Sequence, residues 1–299
     1  MFTILIIGIG CGMKKLITKE GKKTLSAVAL YIVNPVLIFM SYQSEYSSEL
    51  LHGLLWSFLL SAVSYALMIA LSTFIIPKKR EDWSLERFSA VYSNCGFIGI
   101  PLIRGIYGDE GVLYLTAYIT LFNILVWTHG YMTMKESHEL KTFFKSLRSP
   151  SVAAVFIGLI FYLAKIRLAD IPGLDILDTS LRYVSDMNTP LAMLIAGSAT
   201  SQTNVLRALK NPGLYLVAGL KLLALPMVSF LLLKLFGAPH MVLMVVTIAS
   251  ACPVATTGTM FAIQFNKNPE RCSEYFAVTT LLSGLTLPLI TIAADMLSA

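Results

Sequence analysis

Charged side chains are scarce in this 299-residue chain, and their scarcity excludes a soluble globular protein. Charged residues make up 13% of the sequence and hydrophobic residues 56%, whereas soluble domains carry roughly 25% charged residues. The mean hydropathy of +0.72 agrees with this deficit. A chain with too few charges to cover a water-facing surface needs a non-aqueous solvent, so the lipid bilayer is the first partner that the sequence predicts.

Patterns that bind metals or nucleotides are also missing. The four cysteines form no C-x-x-C pair and no histidines cluster with them, so the sequence predicts neither a disulfide framework nor a metal site. No G-x-x-x-x-G-K-[ST] phosphate loop occurs, which argues against ATP-driven pumping. We therefore expect no metal and no cofactor.

Acidic residues are missing from the middle of the apolar runs, and Asp186 comes nearest to one. Proton and sodium antiporters usually need a carboxylate within the membrane, so this absence disfavours a carboxylate-based ion exchanger. Sodium held by carbonyl and hydroxyl groups, or uncoupled transport down the membrane potential, both remain open.

The sequence does contain ten apolar runs, separated by short charged or turn-rich stretches. A membrane-spanning helix needs about 20 residues, and most of the runs approach that length. The first run is short and has no leading positive charge, which argues against a signal peptide and leaves open an upstream or trimmed start. The runs cover residues 1–13, 24–42, 51–76, 87–107, 112–134, 150–168, 179–200, 211–236, 239–263 and 273–297.

Lysine and arginine alternate strictly between the two sides of these predicted spans. The loops after the odd-numbered spans hold 17 of the 23 basic residues, the other side holds 5, and Lys221 lies inside a span. Basic loops stay in the cytoplasm. The net charge of +6 is therefore explained by loop placement rather than by nucleic-acid binding. We predict a multi-pass protein of the plasma membrane with both termini outside.

The two halves of the chain carry matching proline-containing segments. VNPVLIF, with Asn34, lies in the second span, and MNTPLAML, with Asn188, lies in the seventh. Pro101 lies in the fourth span and Pro253 in the ninth. Because five spans invert the second half relative to the first, the pattern predicts two inverted five-helix repeats, residues 1–134 and 150–297, without a separate soluble domain.

Prolines in the fourth and ninth spans predict broken helices, because proline removes a backbone donor and clashes with the preceding turn. Two helices broken near the midplane and crossing there would bring four half-helix ends to one point. Their amide ends attract anions and their carbonyl ends attract cations. Thr256 and Thr257, just after Pro253, add hydroxyl groups.

At these residues the sequence resembles the auxin efflux carrier family, which includes bacterial relatives of plant PIN proteins and malate and malonate permeases. The segment SNCGFIGIPLIRGIYGDEG, followed by Tyr114 and FNILVWTHG, is similar to the family's most recognisable block. NPVLIF resembles its early motif, and ACPVATTGTMFA followed by TTLLSGLTLPL resembles its ending. The resemblance runs in order over nearly the whole chain.

The resemblance implies ten helices in two inverted repeats, with helices four and nine broken and crossing. It places Pro101 and Pro253 at that crossover. It also implies a scaffold of spans one, two, six and seven, a moving transport domain made of the other spans, and small carboxylate anions as substrates. The same resemblance implies a possible homodimer formed through the scaffold.

Several polar residues within the spans are candidates for the binding site. Lys221 either compensates an anionic substrate or donates hydrogen bonds to carbonyls freed at the broken helices. Asn94 precedes the break in span four and offers both a donor and an acceptor to a carboxylate. Asn34 and Asn188 lie beside prolines in the implied scaffold, where they either line the site or satisfy the freed backbone.

The sequence therefore predicts an all-α membrane protein that acts as an alternating-access carrier of small organic anions rather than as an enzyme. Asn94, Thr256 and Thr257 would contact the carboxylate, with Asn34 and Asn188 contributing from the scaffold. Three alternatives stay open: a sodium-coupled symporter of the bile-acid-transporter type, an intramembrane enzyme and a membrane receptor. A symporter would need a preformed cation site, and an enzyme would need a catalytic pair that the spans do not evidently supply.

Overall fold

A computed structural model describes residues 2–43, 45–46, 48–137, 150–201 and 211–298. Across these ranges the chain is helical and contains no β-strand, only one isolated antiparallel bridge between Ser93 and Val254. The prediction of an all-α protein is confirmed for this part of the chain. The basic residues predicted in the loops at Lys141, Lys145, Arg148, Arg207 and Lys210 lie outside the described residues.

The first half of the chain forms the helices that correspond to predicted spans one to five. The helix of span four begins at Trp83 and is interrupted after nine residues. Span five follows a sharp bend at Gly108. The helices are α1 Phe2–Met13, α2 Lys19–Val28, α3 Asn34–Ser41, α4 Ser48–Ile75, α5 Trp83–Val91, α6 Ile100–Leu125 and α7 Tyr131–Lys135, with wide π-helical turns at Ala29–Val33, Cys95–Gly99 and Val126–Gly130.

In the second half of the chain, predicted spans seven, eight and nine are each divided between two helices. The helices are α8 Pro150–Leu163, α9 Asp175–Asp186, α10 Asn188–Thr200, α11 Pro212–Gly219, α12 Leu225–Lys234, α13 His240–Ala251, α14 Thr257–Gln264 and α15 Pro269–Ser298, with a π-helical turn at Leu220–Ala224 and a short 3-10 turn at Leu168–Asp170.

Five described helices are long and apolar enough to cross a membrane. They are Glu20–Ser41, Leu51–Ile75, Glu110–Lys135, Pro212–Lys234 and Pro269–Ser298. Three shorter apolar helices, Thr3–Met13, Pro150–Leu163 and His240–Ala251, accompany them. The described helices therefore supply five full-length spans, and the predicted total of ten spans in inverted repeats stays a prediction.

Predicted span seven, residues 179–200, differs from the structure at its start. The chain forms α9 and α10 with an interruption at Met187, instead of one continuous helix. The guanidinium of Arg182 pairs with Asp178 one turn earlier, with Nε 2.7 Å from Oδ2. α9 is amphipathic because it carries this ion pair and Asp186 along one short helix, so the apolar span begins only at α10.

Three π-helical turns stand directly before prolines and explain how these helices continue past them. A proline cannot donate to the carbonyl four residues earlier and its ring collides with it. The preceding residue instead donates five residues back: Asn34 to Ala29, Ile100 to Cys95 and Leu225 to Leu220. The wider turn displaces the carbonyl that the proline ring would otherwise meet.

The described chain forms two compact units. Unit 1 consists of Met1–Ser48, Asn123–Met132 and Ser137–Gln202, and unit 2 consists of Glu49–Phe122, Thr133–Glu136 and Thr203–Ala299. In unit 1, α1 and α10 pack closely enough that a Cβ on Gly197 would lie 2.3 Å from the carbonyl oxygen of Leu5. Unit 2 has a buried aromatic core that includes Tyr65, Phe88, Tyr92 and Tyr118.

Candidate functional site

The break in span four lies between α5 and the π-helical turn that begins at Cys95. Tyr92 adopts an extended backbone, with φ −87° and ψ 119°, and ends α5. Asn94 starts the second half, and its carbonyl oxygen accepts a hydrogen bond from the amide of Ile98 at 3.1 Å. Asparagine is common at helix starts, because in a helix interior its side chain competes for the hydrogen bonds of the backbone.

The break in span nine lies between α13 and α14 and follows from Pro253. Proline disfavours the helical region for the residue before it, and Cys252 has ψ 148°. Thr256 then begins the second half, and its carbonyl oxygen accepts a hydrogen bond from the amide of Thr259 at 3.1 Å. The break in span nine therefore coincides with a proline in the local sequence.

The two breaks pair with each other inside unit 2. The amide of Asn94 donates to the carbonyl oxygen of Pro253 at 2.7 Å, and the amide of Ala255 donates to the carbonyl oxygen of Tyr92 at 2.9 Å. Unpaired backbone groups are costly within a membrane, so each break satisfies part of the other. This pairing places two helix amide ends and two helix carbonyl ends together at a crossover, which we define as residues 91–95 and 250–257.

Pro253 lies within the break of span nine, whereas Pro101 follows the break of span four by seven residues. The chain leaves its helix at residues 92–94 and has resumed a helical path before it reaches Pro101. The π-helical turn Cys95–Gly99 accommodates Pro101 without a break, because Ile100 donates to the carbonyl of Cys95. Proline alone therefore did not locate the break in span four.

Lys221 is fully buried, with 0% exposure, and its ammonium group lies at the carbonyl ends of the crossover. Its Nζ donates to the carbonyl oxygens of Val91 and Ser250, each at 3.1 Å, and to Oγ of Ser93 at 2.5 Å. Of the two predicted roles, these contacts favour the second, hydrogen bonding to freed carbonyls. All three ammonium donors are used by protein acceptors.

Ser93 is a site residue that the sequence interpretation missed. Its Oγ accepts from Lys221, donates to the carbonyl of Ser250 at 3.1 Å and lies 3.4 Å from the hydroxyl of Tyr118. Thr279 was missed as well: its Oγ1 accepts the amide of Val254 at 3.1 Å, within the break of span nine. The signal that was available is a small hydroxyl residue inside an apolar run.

Asn94 and Thr257 carry the polar atoms at the crossover that the protein leaves unpaired. The Asn94 side chain is buried, with 3% exposure, and its Nδ2 makes no hydrogen bond within the described chain. Oγ1 of Thr257 is likewise buried without a partner there. Thr256 is buried at the start of α14. These groups lie where the second halves of spans four and nine begin. The unpaired donors are therefore close to the partial positive charge at the amide end of each helix.

Asn34 and Asn188 belong to unit 1, apart from the six candidates in unit 2. Nδ2 of Asn34 donates to Oδ1 of Asn123 at 3.2 Å and to Oγ of Ser151 at 3.4 Å. Asn188 is the buried first residue of α10. Asn34 thus ties neighbouring segments of unit 1 together through its side chain.

Comparison with known proteins agrees with the broken-helix arrangement. A family model described as a membrane transport protein matches residues 1–291. The chain belongs to the auxin efflux carrier family of membrane transport proteins. The resemblance indicated by the sequence motifs is confirmed, and the molecule is a multi-pass membrane transporter.

Archaeal relatives of this transporter match it along nearly its full length. It is 23% identical over 298 residues to an uncharacterized transporter of Methanothermobacter thermautotrophicus, with 97% of this chain and 94% of the relative covered. It is 21% identical over 295 residues to an uncharacterized transporter of Methanocaldococcus jannaschii, with 96% of this chain and 94% of the relative covered. The similarity to transporters thus covers nearly the whole chain. Neither relative's name states a substrate, so the substrate has to be argued from the site.

Proposed function

We propose that this transporter moves small organic anions, chiefly carboxylates, by elevator-type alternating access, with the carboxylate bound at the crossover of unit 2. The observation that carries the proposal is the buried, unpaired Nδ2 of Asn94 at the amide end of a broken helix. A buried donor without a partner costs about 1–3 kcal/mol. A carboxylate oxygen would remove that cost on binding.

The charges around the crossover support an anion rather than a cation at this point. The second halves of spans four and nine start at Asn94 and Thr256, and the helix dipole places partial positive charge at these amide ends. Thr256 and Thr257 supply hydroxyl donors beside those amides. The opposite, carbonyl ends are already occupied by the Lys221 ammonium.

The two compact units support the alternating-access part of the proposal. Unit 2 holds both broken helices and could move as one body, and unit 1 would be the scaffold. We propose the ten-span inverted repeat, residues 1–134 and 150–297, with both termini outside the plasma membrane, as the frame of this motion. The contributions of Asn34 and Asn188 to substrate binding and a homodimer through unit 1 stay predictions.

The test is thermal unfolding of the purified protein in detergent against a panel of mono- and dicarboxylates. A ligand at 100 times its dissociation constant stabilises the folded state by about 2.7 kcal/mol. We expect a carboxylate to raise the melting temperature of the wild type but not of Asn94→Ala. Asn211→Ala is the matched control, because Oδ1 of Asn211 caps α11 within the same unit and Asn211 is not one of the crossover residues.

Asn211→Ala should lower the melting temperature of the unliganded protein and keep the full carboxylate-induced shift. If no anion shifts the wild-type melt while a neutral solute or sodium does, the organic-anion proposal is wrong. The sodium-coupled symporter would then become the better description of this transporter.

A further inference from the structure

The carbonyl ends of the crossover form a cation site that the protein fills with its own side chain. α5 ends at Val91 and α13 ends at Ala251, and the last carbonyls of a helix lack partners within that helix. Their partial negative charges add to the helix dipole. The carbonyl oxygens of Val91 and Ser250, together with Oγ of Ser93, surround Nζ of Lys221.

These three oxygens are the kind of ligand that a small hard cation selects. Sodium in carriers with discontinuous helices is held by carbonyl groups at half-helix ends. Lys221 lies in the π-helical turn Leu220–Ala224, between α11 and α12. Its ammonium contacts the same kind of oxygens. That turn widens the helix at the lysine, directly before Pro226.

No carboxylate balances this charge in the described part of the chain. The buried acidic residues on α5 and α15 pair elsewhere: Glu86 with Arg80, at 2.5 Å, and Glu274 with Arg271, at 3.0 Å. A buried ion requires compensation. Here the compensation comes from the carbonyl ends of two helices, which is the environment of a bound metal cation rather than of a salt bridge.

We propose that the Lys221 ammonium is a tethered substitute for a coupling sodium ion, so that the carrier assembles its crossover and completes its cycle without sodium. The inference rests on the carrier function proposed above and specifies its energetics. The cation that a sodium symporter would bind and release in each cycle is here covalently attached. It therefore stays with unit 2 in both the loaded and the empty carrier.

The first test compares the melting temperature of the wild type in sodium, potassium and choline chloride at equal ionic strength. We expect the three values to agree within about 1 °C, because no cation site is vacant at the carbonyl ends. Uptake into proteoliposomes should proceed equally in sodium and choline media. A rise in the wild-type melting temperature that is specific to sodium overturns the proposal, whether or not any variant can be purified.

The second test vacates the site with Lys221→Ala. We expect the melting temperature to fall by at least about 5 °C in choline, because buried carbonyls lose their partner. n-Propylammonium, which replaces the three carbons and the nitrogen removed, should restore much of that loss, and sodium a smaller part. Lys234→Ala is the matched control: the ammonium of this exposed lysine in unit 2 donates to the carbonyl of Leu297, so the variant should acquire no cation dependence.

If neither n-propylammonium nor sodium raises the melting temperature of Lys221→Ala above its value in choline, the site is not a cation site and the proposal is wrong. These melts need no substrate, so the two proposals can fail separately. Cation rescue without any carboxylate effect would retain the tethered cation and remove the organic-anion assignment. A carboxylate effect without cation rescue would retain the organic-anion assignment and remove the tethered cation.

Discussion

The backbone amide of Asn94 lies 2.7 Å from the carbonyl oxygen of Pro253, and this hydrogen bond joins the breaks of two membrane segments. A return hydrogen bond from Ala255 to Tyr92 closes the pair. Because each break satisfies the other's backbone, neither could persist alone in lipid. The crossover is therefore one structural element made from both halves of the chain, and changes on either side of it should affect both.

Thr257→Val should weaken substrate binding without lowering stability. The hydroxyl of Thr257 is buried and unpaired in the described chain, so its removal breaks no internal hydrogen bond. We expect the dissociation constant of the best carboxylate to rise about tenfold, the cost of one lost hydrogen bond of about 1.4 kcal/mol. Calorimetric titration measures the affinity, and an unchanged affinity would remove Thr257 from the site.

Thr279→Val should do the opposite and lower stability. Oγ1 of Thr279 accepts the amide of Val254 and donates to the carbonyl of Tyr275 at 2.6 Å. The valine would leave a buried amide in the break without a partner, at a cost of about 1–3 kcal/mol. The melting temperature in detergent checks this, and a melt equal to that of the wild type would show that the break does not depend on this hydroxyl.

Gly8→Ala and Gly10→Ala should differ in melting temperature, although both glycines lie on α1. A Cβ at Gly8 would lie 2.8 Å from the carbonyl oxygen of Leu194, whereas a Cβ at Gly10 would meet nothing within 4 Å. Overpacking costs about 1–3 kcal/mol, so we expect a loss of melting temperature only for Gly8→Ala. Equal melts for the two variants would contradict the close packing of α1 against α10.

Stability should depend on pH through Glu136, which follows α7 outside the spanning helices. Partial burial raises the pKa of Glu136, but hydrogen bonds from Lys267 and from Ser84, at 2.9 Å, outweigh it and hold the pKa below its usual range. A pKa that is lowered in the folded state stabilises the protein at pH values above the unfolded-state pKa, and this contribution is lost as the pH falls through the folded-state pKa.

Glu136→Gln removes the titrating group and should therefore flatten this part of the pH dependence. The wild type should lose more of its melting temperature than the variant between pH 6 and about pH 3.5. Glu81→Gln, at an exposed residue in the same unit, is the control and should keep the wild-type pH profile. Parallel profiles for the wild type and Glu136→Gln would show that this ion pair contributes nothing measurable.

The crossover shows which parts of the site could be predicted from the sequence. Pro253 predicted the break in span nine because proline disfavours a helical conformation in the residue before it, and that effect is local. Pro101 marks no break of its own, because the π-helical turn before it lets the helix continue past the proline. The break at residues 92–94 is paired by a hydrogen bond to the carbonyl of Pro253 and one from the amide of Ala255, which no local pattern in span four reveals.

The sequence by itself determined the membrane environment, the helical class and the family, because these follow from composition, from apolar run lengths and from motifs contiguous in the chain. Tertiary structure decided the partners of Lys221 and the roles of Ser93 and Thr279. A buried ammonium must take acceptors wherever helix ends lie nearby, and the ends at Val91 and Ser250 come from distant segments. Only the folded chain brings those carbonyls to one lysine.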